Sequence, residues 1–192
     1  MITRTTIIQW LIDKFRYRQY LEIGYQWGEN FKSINIEWKV AVDPYPRALH
    51  PDLIVMTSDL FFDNFGSSEF DIVFVDGLHH DDQVCRDVNN ASYRLHKNGC
   101  IVLHDLLPLT AEAAGRQPSS KTPTWNGDCY KAGVGIVEQY PWLDFEVHPH
   151  DWGVGVLFPG GEKLDLRPSE ITFEKFAEKP PYKFVPVDFE YT

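Results

Sequence analysis

A chain of 192 residues with 43% apolar and 24% charged residues is long enough for one domain with a sizeable core, and too apolar for wholesale disorder. Its formal net charge of −10 lacks the basic footprint that phosphate backbones select, which argues against nucleic acid as a partner. Cys85, Cys100 and Cys129 form no C-x-x-C pair, no apolar run has the length of a membrane span, and no secretion signal opens the sequence, so the expectation is a reduced, cytoplasmic protein with no membrane partner.

In chain order, residues 5–16 set Ile8, Leu11, Ile12 and Phe15 at helical spacing, an amphipathic helix. Five short apolar runs follow, and each closes on an acid: Glu22, Asp43, Asp59, Asp76 and Asp105. Near-continuous, β-branched apolar runs suit strands buried on both faces of a parallel sheet. Between the last two runs, Val84, Val88, Ala91, Tyr93 and Leu95 keep a helical period, and Asn98-Gly99 punctuates its end. The fold class this predicts is α/β: a Rossmann-like, doubly wound, mostly parallel sheet in three αβα layers. Residues 107–130, rich in Pro, Ser, Thr and Gly, read as an active-site loop. Residues 145–160 read as two strands around a turn at Pro149–Trp152, an antiparallel edge hairpin. The domain is expected to span 1–160. Residues 161–192 then form an extended tail packed on it or on a partner, with Phe173, Phe176, Tyr182, Phe184, Phe189 and Tyr191 as candidates for a homodimer contact or lid.

Ligands of open α/β sheets sit outside the carboxyl ends of the strands, so five acids at that edge describe a site. The dinucleotide fingerprint G-x-G-x-x-G does not fit the first turn. With its middle glycine on Gly24, Glu22 and Trp27 fall on the other two glycine positions. Asp43, nineteen residues beyond Gly24, can accept hydrogen bonds from both hydroxyls of a ribose, a role that fits any nucleoside cofactor, NAD included. Asp59 either meets a cofactor or caps the helix that follows. Tyr25 and Trp27 either line a cofactor pocket or cover the first strand. What the turn spells is E-x-G-x-x-x-G, from Glu22 through Gly24 to Gly28, and this resembles the first motif of the class I S-adenosylmethionine-dependent methyltransferases. The resemblance implies that Glu22 meets the methionine part of the cofactor, that Gly24 and Gly28 let the backbone approach it, and that Asp59 faces the adenine amino group.

Residues 70–105 carry Asp76-Gly77-Leu78-His79, a helix, a Gly turn and a strand ending His104-Asp105. This is similar to the branch of that family containing macrocin and rhamnosyl O-methyltransferases and the cephalosporin-pathway methylation protein. It implies methyl transfer to a hydroxyl of a small sugar, polyketide or phenol-like molecule. Asp76 and Asp105 end neighbouring predicted strands, where their carboxylates can converge with His104 on Mg²⁺ or another divalent cation that acidifies hydroxyls. Related metal-dependent members often have an acid where His104 stands, and a histidine lowers the ligand charge. His79, beside the cofactor-facing and catalytic Asp76, is the candidate general base. The alternative for His79 and His80 is the start of a helix at residue 81, with Asp81 and Asp82 in its first turn; for His104 it is loop ordering. Trp125, Asn126 and Asp128 offer a stacking face and polar contacts to an acceptor, or a turn led by Asn126-Gly127. Two rivals stand beside this reading: an NAD-dependent oxidoreductase, and a catalytically silent cofactor-binding domain of a larger assembly.

Overall fold

Thr3 and Thr6 form a reciprocal capping box that starts α1 (Arg4–Phe15), and Arg16 closes it in the left-handed region at φ 57°. The structure, a computed structural model, describes residues 1–65 and 69–186. Helix α1 buries Ile7, Ile8, Leu11 and Ile12. Phe15, expected on that face, is 43% exposed, with its ring edge-on to Phe158. Ile7 completes the apolar stripe in its place.

Among the described residues eight strands follow: β1 (Gln19–Ile23), β2 (Trp38–Val42), β3 (Leu53–Ile54), β4 (Phe70–Val75), β5 (Leu95–Leu103), β6 (Asp144–His148), β7 (Val154–Phe158) and β8 (Lys183–Phe184). Helices α2 (Glu29–Ser33), α3 (Ser58–Asn64), α4 (Asp81–Arg94), α5 (Tyr130–Gln139) and α6 (Phe173–Glu178) lie between them. The sheet order is β3-β2-β1-β4-β5-β7-β6-β8. Strands β1 to β5 run parallel, and β7 is antiparallel to both β5 and β6. The order reverses between β1 and β4, and a crevice at such a switch point is where a ligand is held.

Alternation along the strands supplies the two faces. Leu21, Ile23, Val73 and Val75 pack with Val84 and Val88 of α4 and with α5. Tyr20, Ile72 and Phe74 pack with α1 and with Phe31 of α2. The result is the three-layer αβα sandwich expected from the strand rhythm.

The departures are local. Helix α4 ends at Arg94 and β5 begins at once, so Asn98-Gly99 lies inside a strand and not at a helix end. Gly99 is needed there because a Cβ would overlap the Asp71 carbonyl, beside the register shift between β4 and β5. Tyr93 points outward at 59% exposure. The third apolar run pairs only at Leu53–Ile54. The hairpin of β6 and β7 forms, but β7 inserts next to β5, and β8 from the tail pairs with β6, so the tail supplies the last strand of the sheet. In that tail Leu164, Leu166, Phe176 and Tyr182 are buried, and the Tyr182 hydroxyl donates to the Tyr130 carbonyl at 2.9 Å. Phe189 and Tyr191 lie outside the described residues.

Candidate functional site

A cleft of about 1010 Å³ opens over the carboxyl ends of β1, β2, β4 and β5. One end is walled by the Glu22–Trp27 turn, Asp43, Tyr45, Ser58, Asp59 and Gln83; the other by Asp76, His79, His104, Asp105, Trp125 and Asp151, with the start of α1 between. Among the described residues, four of the five non-glycine residues at positive φ line it: Gln26, Asp105, Asp151 and Trp152. Backbone held in that region costs free energy and gathers where a ligand must be met.

At the first end the glycines are set by the protein itself. A Cβ on Gly24, at φ 93°, would overlap the Asp76 carbonyl, so Gly24 lets the tips of β1 and β4 meet. Gly28, at φ 72°, starts α2 against the ring of Tyr25, where a Cβ would not fit. Tyr25 is buried along the cleft wall, and its hydroxyl has no hydrogen-bond partner among the described residues. Such a group is a donor and acceptor still to be satisfied. Glu22 is 1% exposed; its Oε2 accepts from the Tyr20 hydroxyl at 2.5 Å and from Asn30 Nδ2 at 2.7 Å. Burial pushes its carboxyl up to about 7, against the pull of those two donors. Asp43 accepts the backbone N–H groups of Tyr25 (2.9 Å) and Gln26 (2.8 Å) on one oxygen and of Tyr45 (2.7 Å) on the other. A carboxylate has about four acceptor sites, so one remains for a ligand hydroxyl where the sequence suggested two. Asp59 is in the first turn of α3, but the cap is Thr57, whose hydroxyl accepts from Leu60 N–H. Asp59 instead accepts from Gln83 Nε2 at 3.3 Å on the cleft wall.

The second end is a compact array of charge. His79 Nδ1 lies 3.2 Å from the Trp125 carbonyl, which can only accept, so Nδ1 carries the proton and Nε2 is the basic nitrogen. Nε2 faces Asp76 Oδ1 at 3.4 Å and Asp105 Oδ2 at 3.3 Å. Burial lowers the His79 pKa, but the hydrogen bond to Asp76, the two carboxylate charges and the Trp125 carbonyl outweigh it and raise the value. His104 is buried behind them. Its Nε2 donates to the Asp151 carbonyl at 2.7 Å, and Nδ1 meets Asp76 Oδ1 at 3.2 Å and Asp105 Oδ2 at 3.1 Å. Burial opposes its charge, yet Asp76, Asp105 and Asp151 together hold its pKa well above the ordinary value. Asp76 is held low in turn: burial is overcome by the His104 charge and hydrogen bond and by His79. The group whose ligand atoms converge within 4.8 Å is Asp76, His79 and Asp105. His104 stands beside that group, tying the tips of β4 and β5 to the β6–β7 turn.

Two contributors had no sequence signal. Arg4 Nη1 donates to Asp76 Oδ2 at 2.7 Å, and its Nε and backbone N–H donate to Asp151 Oδ2 at 3.0 and 2.8 Å. Arg4 is 72 residues from Asp76 and 147 from Asp151, separations at which no local pattern exists. The loop after β5 does reach the site, as its composition suggested. Trp125 stacks on His79 with centroids 5.0 Å apart, and its Nε1 donates to the Gly115 carbonyl at 2.7 Å. Asn126 Nδ2 donates to Asp105 Oδ1 at 2.5 Å, and Gly127 packs on the His79 carbonyl where a Cβ would overlap it. Arg116 joins Asp81, Asp82 and Asp128, and Asp128 accepts the Asp81 N–H at 2.8 Å. Asp128, read from sequence as an acceptor contact or part of a turn, is buried and bonded within the loop, whereas Asn126 donates to Asp105 but keeps an Oδ1 without a partner among the described residues on the cleft wall. His80 takes the N-cap position of α4 without a side-chain bond.

The fold is a Rossmann-like α/β fold, shared with methyltransferases of known structure. Residues 21–106, from within β1 to just past β5, match the family model described as a methyltransferase domain. The backbone is similar to the S-adenosylhomocysteine-bound methyltransferase PaMTH1 of Podospora anserina, at 16% identity and a TM-score of 0.60 over 82% of this chain and 79% of that one. It is similar to the Bacillus cereus O-methyltransferase in complex with S-adenosylhomocysteine, at 12% identity and 0.57 over 82% of each chain. The O-methyltransferase TomG of Streptomyces achromogenes, involved in tomaymycin synthesis and solved with S-adenosylmethionine, aligns at 13% identity and 0.55 over 80% and 78%. No curated protein sequence matches the chain.

Proposed function

We propose that the protein transfers a methyl group from S-adenosylmethionine to a hydroxyl of a small molecule, with His79 as general base. The observation that carries this reading is the His79 imidazole. Its tautomer is fixed by the Trp125 carbonyl, and its Nε2 lies between two carboxylates at the floor of the cleft. Asp76, Asp105 and Asp151 carry three negative charges, against which Arg4 and protonated His104 set two positive ones. A proton arriving on Nε2 balances the array, which is what a base for a hydroxyl requires. Asp76 and Asp105 hold the imidazole at one angle and stabilise the imidazolium as the hydroxyl is deprotonated.

The residues at the other end fit the cofactor. Glu22, Asp43 and Asp59 supply acceptors, Gly24 and Gly28 shape the turn, and the unpartnered Tyr25 hydroxyl offers a polar contact. S-adenosylmethionine, when bound, supplies the electrophilic methyl carbon. Asp76 closes the cofactor end beside the base, where reacting atoms are brought in line. The acceptor enters past Trp125 and Trp152, whose rings suit a phenol, polyketide or sugar face. The macrocin, rhamnosyl and cephalosporin branch is the proposed subgroup, on the strength of Asp76-Gly77-Leu78-His79 and His104-Asp105.

Calorimetric titration with S-adenosylhomocysteine and with NADH tests the cofactor half. Binding of the first and not the second is expected, and the reverse would sink the reading. Transfer of labelled methyl to a panel of phenol, sugar and polyketide hydroxyls tests the second half. Intact cofactor binding with no turnover on any acceptor class would favour the silent-domain alternative.

A further inference from the structure

Within the proposed site, the charged array has one member, Arg4, whose placement does more than balance charge for the base. Arg4 arrives from the first turn of α1 and inserts its guanidinium between Asp76 and Asp151. Its Nη1 lies 2.7 Å from Asp76 Oδ2 and 3.2 Å from His104 Nδ1. A guanidinium is planar, permanently charged and weakly hydrated, which suits it to sit among partly buried carboxylates where an ammonium would not.

The donor set does not fit a divalent cation while that guanidinium is in place. Hard cations collect several oxygen atoms free of other partners. Here Asp76 Oδ2 is taken by Arg4, Asp76 Oδ1 and Asp105 Oδ2 each face two histidine nitrogens, and Asp105 Oδ1 accepts from Asn126. An ion at the point where Asp76, His79 and Asp105 converge would meet Arg4 across Asp76 as a like charge.

From this we infer that Arg4 is a positioning residue that supplies, from within the chain, the fixed positive charge a bound divalent cation would otherwise bring. It neutralises Asp76 and clamps the β4 tip to the β6–β7 turn through Asp151. The inference rests on the reading of this end of the cleft as the reaction site, but its test needs neither cofactor nor acceptor.

The experiment is a titration of the full chain with Mn²⁺, followed by calorimetry and by water-proton relaxation, on the wild type and on Arg4→Met and Arg4→Lys. The wild type is expected to show no stoichiometric site below millimolar. Arg4→Met leaves three carboxylates short of a cation and is expected to gain one site, bound about tenfold tighter or more than by the wild type, with a rise in Tm on adding Mn²⁺ that EDTA reverses. Arg4→Lys keeps a charge but not the fork that spans Asp76 and Asp151, and is expected to gain less Mn²⁺ affinity than Arg4→Met; an equal gain overturns the assignment of the effect to charge. A stoichiometric sub-millimolar Mn²⁺ site in the wild type overturns the inference, whether or not Arg4→Met folds. A folded Arg4→Met that gains no affinity also overturns it, because a merely structural arginine would lower Tm without creating a metal response.

Discussion

Replacing Asp43 by alanine tests the cofactor end most directly. The carboxylate receives three backbone N–H groups, from Tyr25, Gln26 and Tyr45. It therefore shapes both the glycine turn and the turn after β2. The Gln26 and Tyr45 contacts are exposed and the Tyr25 contact is part-buried. Water can replace the exposed pair, so the loss is about 0.5 kcal/mol for each of these and about 1 kcal/mol for the third, roughly 2 kcal/mol together. For a chain of this size that lowers Tm by about 4–8 °C. The acceptor site left on Asp43 for one ribose hydroxyl adds about 1.5–3 kcal/mol of binding, a 10- to 100-fold loss of affinity by the usual conversion of about 1.4 kcal/mol per decade. Urea denaturation reads the first number, and titration with S-adenosylhomocysteine reads the second. Asp43→Asn keeps one carbonyl for the glycine turn and should fall between. An Asp43→Ala protein that binds S-adenosylhomocysteine as the wild type does would remove Asp43, and with it the assigned orientation of the cofactor, from the site.

Other changes isolate other parts. His79→Ala should lower turnover about 100-fold or more with little change in S-adenosylhomocysteine affinity; undiminished turnover would take His79 out of the mechanism. Because nearby carboxylates raise the His79 pKa, activity should rise with pH along a limb centred above about 6.5, and Asp105→Asn should move that limb to lower pH; a limb that stays put would assign it to another group. Gly127→Ala should push the 125–128 turn off the His79 carbonyl and impair acceptor turnover more than cofactor binding, which paired kinetic and binding measurements separate. Stability should also depend on pH through Asp87, a buried carboxyl that burial pushes up to about 7 despite its bonds to Ser58 and Gln83. Its folded pKa exceeds the unfolded value, so the fold loses stability from this group as pH rises from about 4 through 7, by about 4 kcal/mol in full. Asp87→Asn should therefore gain Tm relative to wild type at pH 8 but not at pH 4.5, and an equal shift at both would refute the assignment.

The strand rhythm was legible because buried parallel strands leave long apolar runs, and the acids at the strand tips were legible because each run stops on one. Asp76, Asp105 and His79 could be read from a stretch of chain whose β-α-β spacing fixes their proximity. Arg4 and Asp151 could not, since their meeting depends on where α1 and the β6–β7 turn land over the sheet. Whether Asn126 and Asp128 serve an acceptor or a turn was not legible for a related reason: polar residues in a loop look available until a tertiary partner claims them, as Arg116 and the Asp81 N–H claim Asp128. Asn98-Gly99 misled in a simpler way, because a glycine forced by a neighbouring strand looks the same in sequence as one that ends a helix.

The two outermost strands, β3 and β8, are each only two residues long. A sheet exposes its unpaired backbone groups at its margins, and long margins recruit strands from other chains. At one margin Lys183 is ion-paired to Glu146 of the neighbouring strand, so even this short stretch carries charge. Removal of β8 would uncover β6, with its alternate Phe145 and Val147, as a five-residue margin. The tail thus acts as a selvedge: it finishes the woven edge of the sheet and keeps aggregation from starting there.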